Sequence, residues 1–297
     1  MIIFKVVIAL CGAIESLCLC ELGDSNRAKF ASQGAITLLM RVLQIHMDEG
    51  CLTRVPFAAA VCAAIGSLLR EGNTQVSNQA IFNEQRAPDA LAHVLQRYIS
   101  SASVSTSCCN AICLIACGNL HSQTSLLECG AVEALSATLR QFVGDEAVVI
   151  QASLAIAELS LNNVATSTEL GKLGVCRDIV AALTKHRGSE AVCEACCRSI
   201  FSLKELNILL GAAGACEAVL PVLTQHPASE NVAQWVCRAI GSLAENPSNK
   251  KILGASYACE TVTQALQRHV ANESILSVVL MRNTSSAGVA QWGCSAM

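Results

Sequence analysis

The chain has 297 residues, of which 53% are hydrophobic and only 3% aromatic, so its apolar content is mainly aliphatic residues and cysteine. Small and medium aliphatic side chains suit closely packed helices. The 20 Lys and Arg against 23 Asp and Glu give a net charge of −3. This balance argues against nucleic acid and against an anionic membrane surface as partners, because both recruit strongly basic proteins.

The first segment, residues 1–20, has one early lysine and then a long apolar run, which is also typical of a signal peptide. Its motif Cys-x-Ala-Ile-x-Ser-Leu begins at Cys11 and returns at Cys62 and Cys237. A cleaved leader has no reason to match internal helices, so we predict a buried repeat helix rather than a signal peptide. No internal segment has the roughly 20 apolar residues of a membrane span, so no membrane insertion is predicted.

The chain repeats with a regular period. Six anchor positions are separated, by subtraction, by 52, 44, 44, 40 and 43 residues: Gly34, Arg86, Gly130, Gly174, Gly214 and Tyr257. Nine residues after each anchor stands a leucine: Leu43, Leu95, Leu139, Leu183, Leu223 and Leu266. Five residues after each anchor stands another aliphatic residue, so the two share one helix face. Periods of about 40–47 residues are typical of stacked helical repeats.

Each repeat is predicted to contain three helices. A short helix precedes the anchor, and a middle helix follows it and ends at a His or aromatic residue twelve positions on, as at His186 and His226. These histidines are predicted to be structural, because each belongs to a different repeat. Asp145-Glu146 and the matching Ser-Glu pairs at 189 and 229 are helix-start signals, and a long apolar third helix follows each of them.

The motif Gly-Ala-x-x-x-Leu opens the second helix, as at residues 130–135, and Cys-x-Ala-Ile-x-x-Leu marks the third. In six phased copies over nearly the whole chain, these motifs resemble the armadillo repeat family. HEAT repeats have two helices and lack the glycine-led second helix. The resemblance implies an all-α fold, a right-handed α-α superhelix (an armadillo-like solenoid) of about six three-helix repeats, with the third helices lining a concave face.

Residues 1–297 are expected to form a single armadillo-type array that begins and ends within a repeat. The segment 291–297 repeats the start of the third-helix motif seen at Gln234 and Trp235. The longest interval, from Gly34 to Arg86, is expected to place its extra residues in loops near 53–56 and over 71–85. Solenoids tolerate such insertions on one edge.

No residue pattern in the sequence indicates catalytic chemistry. The chain lacks a dinucleotide-binding glycine motif, a phosphate loop, a nucleophile elbow and a His-Glu-x-x-His zinc motif, so no enzyme activity and no cofactor are predicted. Its 18 cysteines show no disulfide framework, and Cys193 and Cys196 form an isolated Cys-x-x-Cys. We interpret them as small buried residues without a metal, in an intracellular, cytoplasmic protein.

Armadillo family members that hold extended peptides present a Trp and, four residues later, an Asn on each third helix. The positions that match the Trp hold Gly12, Ala63, Asn110, Leu154, Arg198 and Arg238. The positions that match the Asn hold Ser16, Ser67, Leu114, Glu158, Ser202 and Ser242. Neither series keeps the residue of the family, so nuclear-import peptide binding does not carry over.

The candidate partner-binding residues lie on two successive third helices, since Trp and Arg are the types enriched at binding hot spots. They follow one helix stripe: Arg198, Ser202 and Glu205, and then Trp235, Arg238, Ser242 and Glu245. A second interpretation remains open, in which Trp235 fills a gap between helices and the arginines pair with Glu205 and Glu245.

The sequence thus predicts a protein–protein interaction scaffold or adaptor that grips a segment of a protein or peptide partner along the third helices. Two alternatives stand beside it. The chain could be the regulatory repeat region of a larger kinase or ubiquitin-ligase-type protein. It could also be a structural solenoid that self-associates through uncapped ends.

Overall fold

A computed structural model describes residues 2–47 and 54–269 of the chain. Over these residues it has 18 α-helices, a short 3₁₀ helix at Lys204–Leu206 and no strand, which confirms the predicted all-α class. The chain divides into two compact units, Met1–Leu173 and Gly174–Met297, and the division falls between a first and a second helix of one repeat. The echo of the third-helix motif at 291–297 lies outside the described residues. The single array over 1–297 stays a prediction.

The helices of the first unit are α1 (Ile2–Cys18), α2 (Gly23–Ser32), α3 (Ala35–Met47), α4 (Val55–Leu68), α5 (Gln75–Glu84), α6 (Ala87–Arg97), α7 (Ala102–Ala116), α8 (Leu120–Glu128), α9 (Ala131–Gln141), α10 (Glu146–Ser160) and α11 (Val164–Lys172). Those described in the second unit are α12 (Val175–Lys185), α13 (Glu190–Ser202), α14 (Asn207–Ala212), α15 (Ala215–Gln225), α16 (Glu230–Leu243), α17 (Pro247–Ala255) and α18 (Ala258–Arg268).

Third helices pack on third helices within each unit. In the first unit α1, α4, α7 and α10 stack in that order, and in the second unit α13 packs on α16. Second helices stack in the same way, α3 on α6 on α9 and α12 on α15 on α18. Five of the six phased leucines are buried, and Leu266, close to the end of the described chain, is half-buried.

The six anchors of the repeat share one backbone conformation. Each lies in the left-handed region immediately before a second helix, with φ between 57° at Arg86 and 85° at Gly214. Glycine adopts this conformation without steric penalty, which explains why four of the anchors are glycines. Arg86 and Tyr257 are the two exceptions. The anchors found from spacing are therefore the turns that start the second helices.

The anchors predict a pair of opposite stability changes in the second unit. Tyr257→Gly should raise the free energy of unfolding by about 0.5–1 kcal/mol, since it removes a left-handed non-glycine residue. Gly174→Ala should lower it by about 1 kcal/mol. An added Cβ at Gly174 meets no atom within 4 Å, so this change reports the backbone alone. Urea unfolding of both variants checks the signs, and shifts in the same direction would contradict the assignment.

The predicted helix starts are confirmed in position. Asp145, Ser189 and Ser229 are the N-caps of α10, α13 and α16. Only the Asp145 carboxylate makes the capping bond, accepting from the backbone N–H of Val148 at 3.2 Å.

The predicted loop over 71–85 is wrong. Most of it is α5, Gln75–Glu84, the short first helix that every repeat needs, and Phe82 on its inner face is fully buried. The apolar residue four positions before the anchor is what requires a helix there. In the described chain the extra length is found in the turn at 69–74.

Buried amides connect successive repeats in the first unit. Gln79 on α5 donates to the carbonyls of Leu114 and Cys117, both at 2.9 Å, at the end of α7. Gln123 occupies the matching position on α8 and donates to the carbonyl of Glu158 on α10 at 2.9 Å. These contacts join residues 35 to 38 positions apart, so a local sequence pattern does not reveal them.

Candidate functional site

The predicted binding residues all lie in the second unit, on or just after two packed third helices. Arg198 and Ser202 are on α13, and Glu205 is in the 3₁₀ helix that follows it. Trp235, Arg238 and Ser242 are on α16, and Glu245 is in the turn after that helix. The side chains of Glu205 and Glu245 are both exposed.

An arginine–tryptophan cluster forms the centre of this face. The guanidinium carbons of Arg198 and Arg238 lie 5.2 Å and 4.8 Å from the centroid of the Trp235 ring. Both distances fall within the range of a cation–π interaction. Trp235 and both arginines are half-buried, so each keeps part of its surface in solvent. The structure brings together three of the seven predicted residues, one from α13 and two from α16.

Phe201 belongs to this cluster and was missed by the sequence analysis. Its ring centroid lies 6.0 Å from that of Trp235, and the Arg238 guanidinium lies 5.8 Å from its ring. The signal was present in the sequence, since Phe201 stands three positions after Arg198 and therefore on a neighbouring part of the same helix face. We call Arg198, Phe201, Trp235 and Arg238 the Arg–Trp cluster.

The two predicted serines lie beneath the face. Ser202 is 4% exposed and Ser242 is 0% exposed. The Ser242 hydroxyl has no hydrogen-bond partner among the described residues. Both serine side chains are therefore buried, whereas the Arg–Trp cluster, Glu205 and Glu245 keep surface in solvent.

The first unit holds a groove on its third helices, lined by residues that the sequence analysis did not single out for binding. It has a volume of about 550 Å³ and runs across the third helices α1, α4, α7 and α10. We call it the polar groove, because its lining includes Glu15, Ser67, Arg70, Ser107, Asn110 and Gln151. None of the seven predicted residues lines it.

The Asn110 side chain lines the polar groove close to α4, because Gly66 there has no side chain. A Cβ added at Gly66 would come within 2.7 Å of the Asn110 amide nitrogen. The side-chain amides of Asn110 and Gln151 make no hydrogen bond to any described residue, and both are half-buried. An amide offers two N–H donors and a carbonyl acceptor, so both side chains can bond to a ligand in the groove.

The polar groove had a sequence signal of its own. Thr106, Ser107 and Asn110 follow helical spacing within α7, whose other residues are largely apolar or small. Asn110 also stands at a position where peptide-binding family members carry Trp.

The cysteines behave as core residues. All sixteen described cysteines are free thiols, and most are buried. Burial raises the pKa of Cys176 and of Cys237 to about 11. Within the described part of the chain, no group of three or more His, Cys, Asp or Glu side chains could hold a metal ion.

His226, at the end of the second helix α15, makes structural contacts. Its Nε2 lies 2.7 Å from the carbonyl oxygen of Arg187 in the preceding loop, a distance at which Nε2–H donates. Its Nδ1 lies 3.8 Å from a carboxylate oxygen of Glu190. The ring is almost completely buried, so His226 joins its own second helix to the start of α13.

No single helix in the described ranges combines the length and hydropathy required to cross a bilayer. One bent pair, Lys204–Ala212 with Ala215–Gln225 at 93°, satisfies length and composition only when its two segments are taken together.

Comparison with solved structures defines the class of protein. A designed armadillo repeat protein in complex with the peptide (KR)4 is 25% identical, with a TM-score of 0.63 over 81% of this chain and 95% of that chain. A computationally designed armadillo repeat protein for modular peptide recognition is 24% identical, with a TM-score of 0.65 over 81% of this chain and 96% of that chain. A chain from work on the interaction between cadherin and beta-catenin is 14% identical, with a TM-score of 0.69 over 89% of this chain and 50% of that chain.

The chain is therefore a helical-repeat protein with the armadillo-type solenoid fold. No protein-family model and no curated protein matches its sequence.

Proposed function

We propose that this protein is a non-catalytic scaffold that binds an extended segment of a protein partner on its third helices. The observation that carries the proposal is the polar groove, where Asn110 and Gln151 present unpaired amides beside hydroxyl groups. An extended peptide has a free N–H and C=O at each residue, and such amides can bond to both. A volume of about 550 Å³ suits a segment of a few residues.

The similarity to designed armadillo proteins that recognise peptides supports this function. The sixteen free thiols of the described residues support a reducing, cytoplasmic compartment. The Arg–Trp cluster of the second unit is a second proposed contact surface. Its arginines are held over Trp235, and such pre-ordered aromatic and guanidinium groups lose little entropy when a partner binds.

Peptides selected from a displayed random library on the native chain test the groove. Asn110→Ala and Gln151→Ala should each weaken the selected peptide about tenfold, since each removes hydrogen bonds to a bound main chain. The measurement is fluorescence anisotropy of the labelled peptide. Gln264→Ala is the matched control, because Gln264 is exposed on α18 and does not line the groove. Unchanged affinity in both groove variants would refute the assignment.

The same assay distinguishes the two surfaces. Peptides selected on the Asn110→Ala, Gln151→Ala double variant should bind outside the polar groove. Trp235→Ala should weaken the binding of those peptides about thirtyfold. Arg198→Ala and Arg238→Ala should act in the same direction. If Trp235→Ala instead unfolds the second unit and the arginine variants bind normally, then the Arg–Trp cluster is part of the core.

A further inference from the structure

Two charged residues of the polar groove come from a turn that is longer than its counterparts. The turn between α4 and α5 covers residues 69–74, whereas the matching turns 117–119 and 161–163 have three residues each. Arg70 and Glu71 in the longer turn both line the polar groove. A longer turn has more backbone conformations open to it, so the position of these two charges depends on what holds the turn in place.

An ion pair on α2 holds this turn from the preceding repeat. The Asp24 carboxylate lies 3.2 Å from the guanidinium of Arg27, three residues further along the helix. That carboxylate also accepts hydrogen bonds from the Thr74 hydroxyl at 2.8 Å and from the backbone N–H groups of Asn73 and Thr74 at 3.2 Å and 3.3 Å. Arg27 is 6% exposed and donates to the backbone carbonyl of Glu71 at 3.3 Å. We call Asp24 and Arg27 the α2 clasp.

The α2 clasp takes the place of a local cap that the later repeats of the first unit use. Asn119 and Asn163 cap α8 and α11 with their own side chains. Thr74, the N-cap of α5, makes no such bond with its side chain. The positions that match Asp24 on these later first helices are aliphatic and cannot form the clasp: Val76, Leu120 and Val164. The α2 clasp therefore accompanies the longer turn.

We infer that the α2 clasp positions the Arg70 guanidinium to donate hydrogen bonds to a peptide segment in the polar groove. The inference rests on the proposed function of that groove. Arg70 is exposed, and its guanidinium makes no ion pair with another described residue. A turn that is ordered before binding loses less entropy when the ligand arrives. Asp24 and Arg27 do not line the groove, so they are positioning residues.

Asp24→Asn tests this positioning with peptides selected on the native chain, whose affinity is measured by fluorescence anisotropy. The change keeps the size of the side chain but removes its charge, so it should weaken the peptide about fivefold, and Arg70→Ala should weaken it about tenfold. In the double variant the two losses should not add, because Asp24 acts through Arg70. Asp24→Asn combined with Asn110→Ala should give losses that add, since Asn110 belongs to α7 and not to the turn.

Two further variants control for a general loss of structure. Thr74→Val removes the hydroxyl bond and leaves the Asp24–Arg27 pair intact, so it should weaken the peptide about threefold with unchanged circular dichroism. Asp89→Asn is the matched control, because it breaks the exposed Arg86–Asp89 pair, which has the same spacing and lies outside the groove. It should leave the affinity for the peptide unchanged.

The outcomes separate this inference from the function on which it rests. If Asn110→Ala and Gln151→Ala leave the affinity unchanged, the proposed function fails and the inference fails with it. If those two variants weaken binding but Asp24→Asn and Thr74→Val do not, positioning by the α2 clasp is overturned and the proposed function stands. Full additivity of the Asp24→Asn and Arg70→Ala losses also overturns it, as does normal binding by Arg70→Ala.

Discussion

Native protein at about pH 8 is expected to react with iodoacetamide at Cys20 and Cys259 at least about a thousandfold faster than at Cys109 and Cys197. The first two thiols are exposed, and the second two are 0% exposed. Burial disfavours the thiolate and raises the pKa of Cys109 and of Cys197 well above the usual value. The thiolate is the reactive form, so both its scarcity and its enclosure slow the reaction.

Cys176 and Cys237 show how strongly a raised pKa lowers the fraction of reactive thiolate. Burial raises the pKa of Cys176 and of Cys237 to about 11. At pH 8 such a thiol is ionised in about one molecule in a thousand, whereas a thiol of ordinary pKa is ionised in about one in four. Reaction at these sites should therefore rise about tenfold per pH unit up to about pH 11.

Peptide-resolved mass spectrometry over a labelling time course measures these rates. In denaturant all four thiols should react alike, which controls for differences in local sequence. Labelling of Cys109 or Cys197 within tenfold of Cys20 would contradict the buried assignment. Since the unfolded chain releases thiol protons at lower pH than the folded chain does, stability should fall as pH rises from about 9 toward 11.

The second large effect concerns the buried amide that joins two repeats. Gln123→Leu should lower the free energy of unfolding by roughly 2–3 kcal/mol, because it removes a donor and an acceptor from the interior at once. Gln123 is 5% exposed and donates to the carbonyl of Glu158 at 2.9 Å. Its own side-chain carbonyl accepts from the Asn163 amide at 3.3 Å. Leucine has a similar volume and satisfies neither partner.

The melting temperature should fall by roughly 5–10 °C for a unit of this size. Gln141→Leu is the matched control, because Gln141 is exposed at the end of α9 and should tolerate the change within about 0.5 kcal/mol. A loss in Gln123→Leu no larger than in the control would show that the amide bonds are not needed to hold the repeats together.

The sequence by itself determined the repeat, because the features that encode it are local. The six anchors could be recognised from spacing, since the left-handed turn before each second helix favours glycine strongly enough to leave a periodic signal. The buried leucines, the N-cap at Asp145 and the core cysteines follow from the same helical periodicity. The loop expected over 71–85 shows the limit, because most of that segment is the short first helix α5 that the repeat pattern itself predicts before Arg86.

Only the tertiary structure decided which third-helix faces are open and what they present. Ser202 and Ser242 stand at the positions that hold Asn in peptide-binding armadillo proteins, yet the fold buries both side chains. Asn110 packs close to α4 in the polar groove because a glycine 44 residues earlier, Gly66, leaves space for it. Gln123 joins helices whose residues are 35 positions apart. Such contacts depend on how repeats stack, and the stacking geometry is not carried by any one segment of the chain.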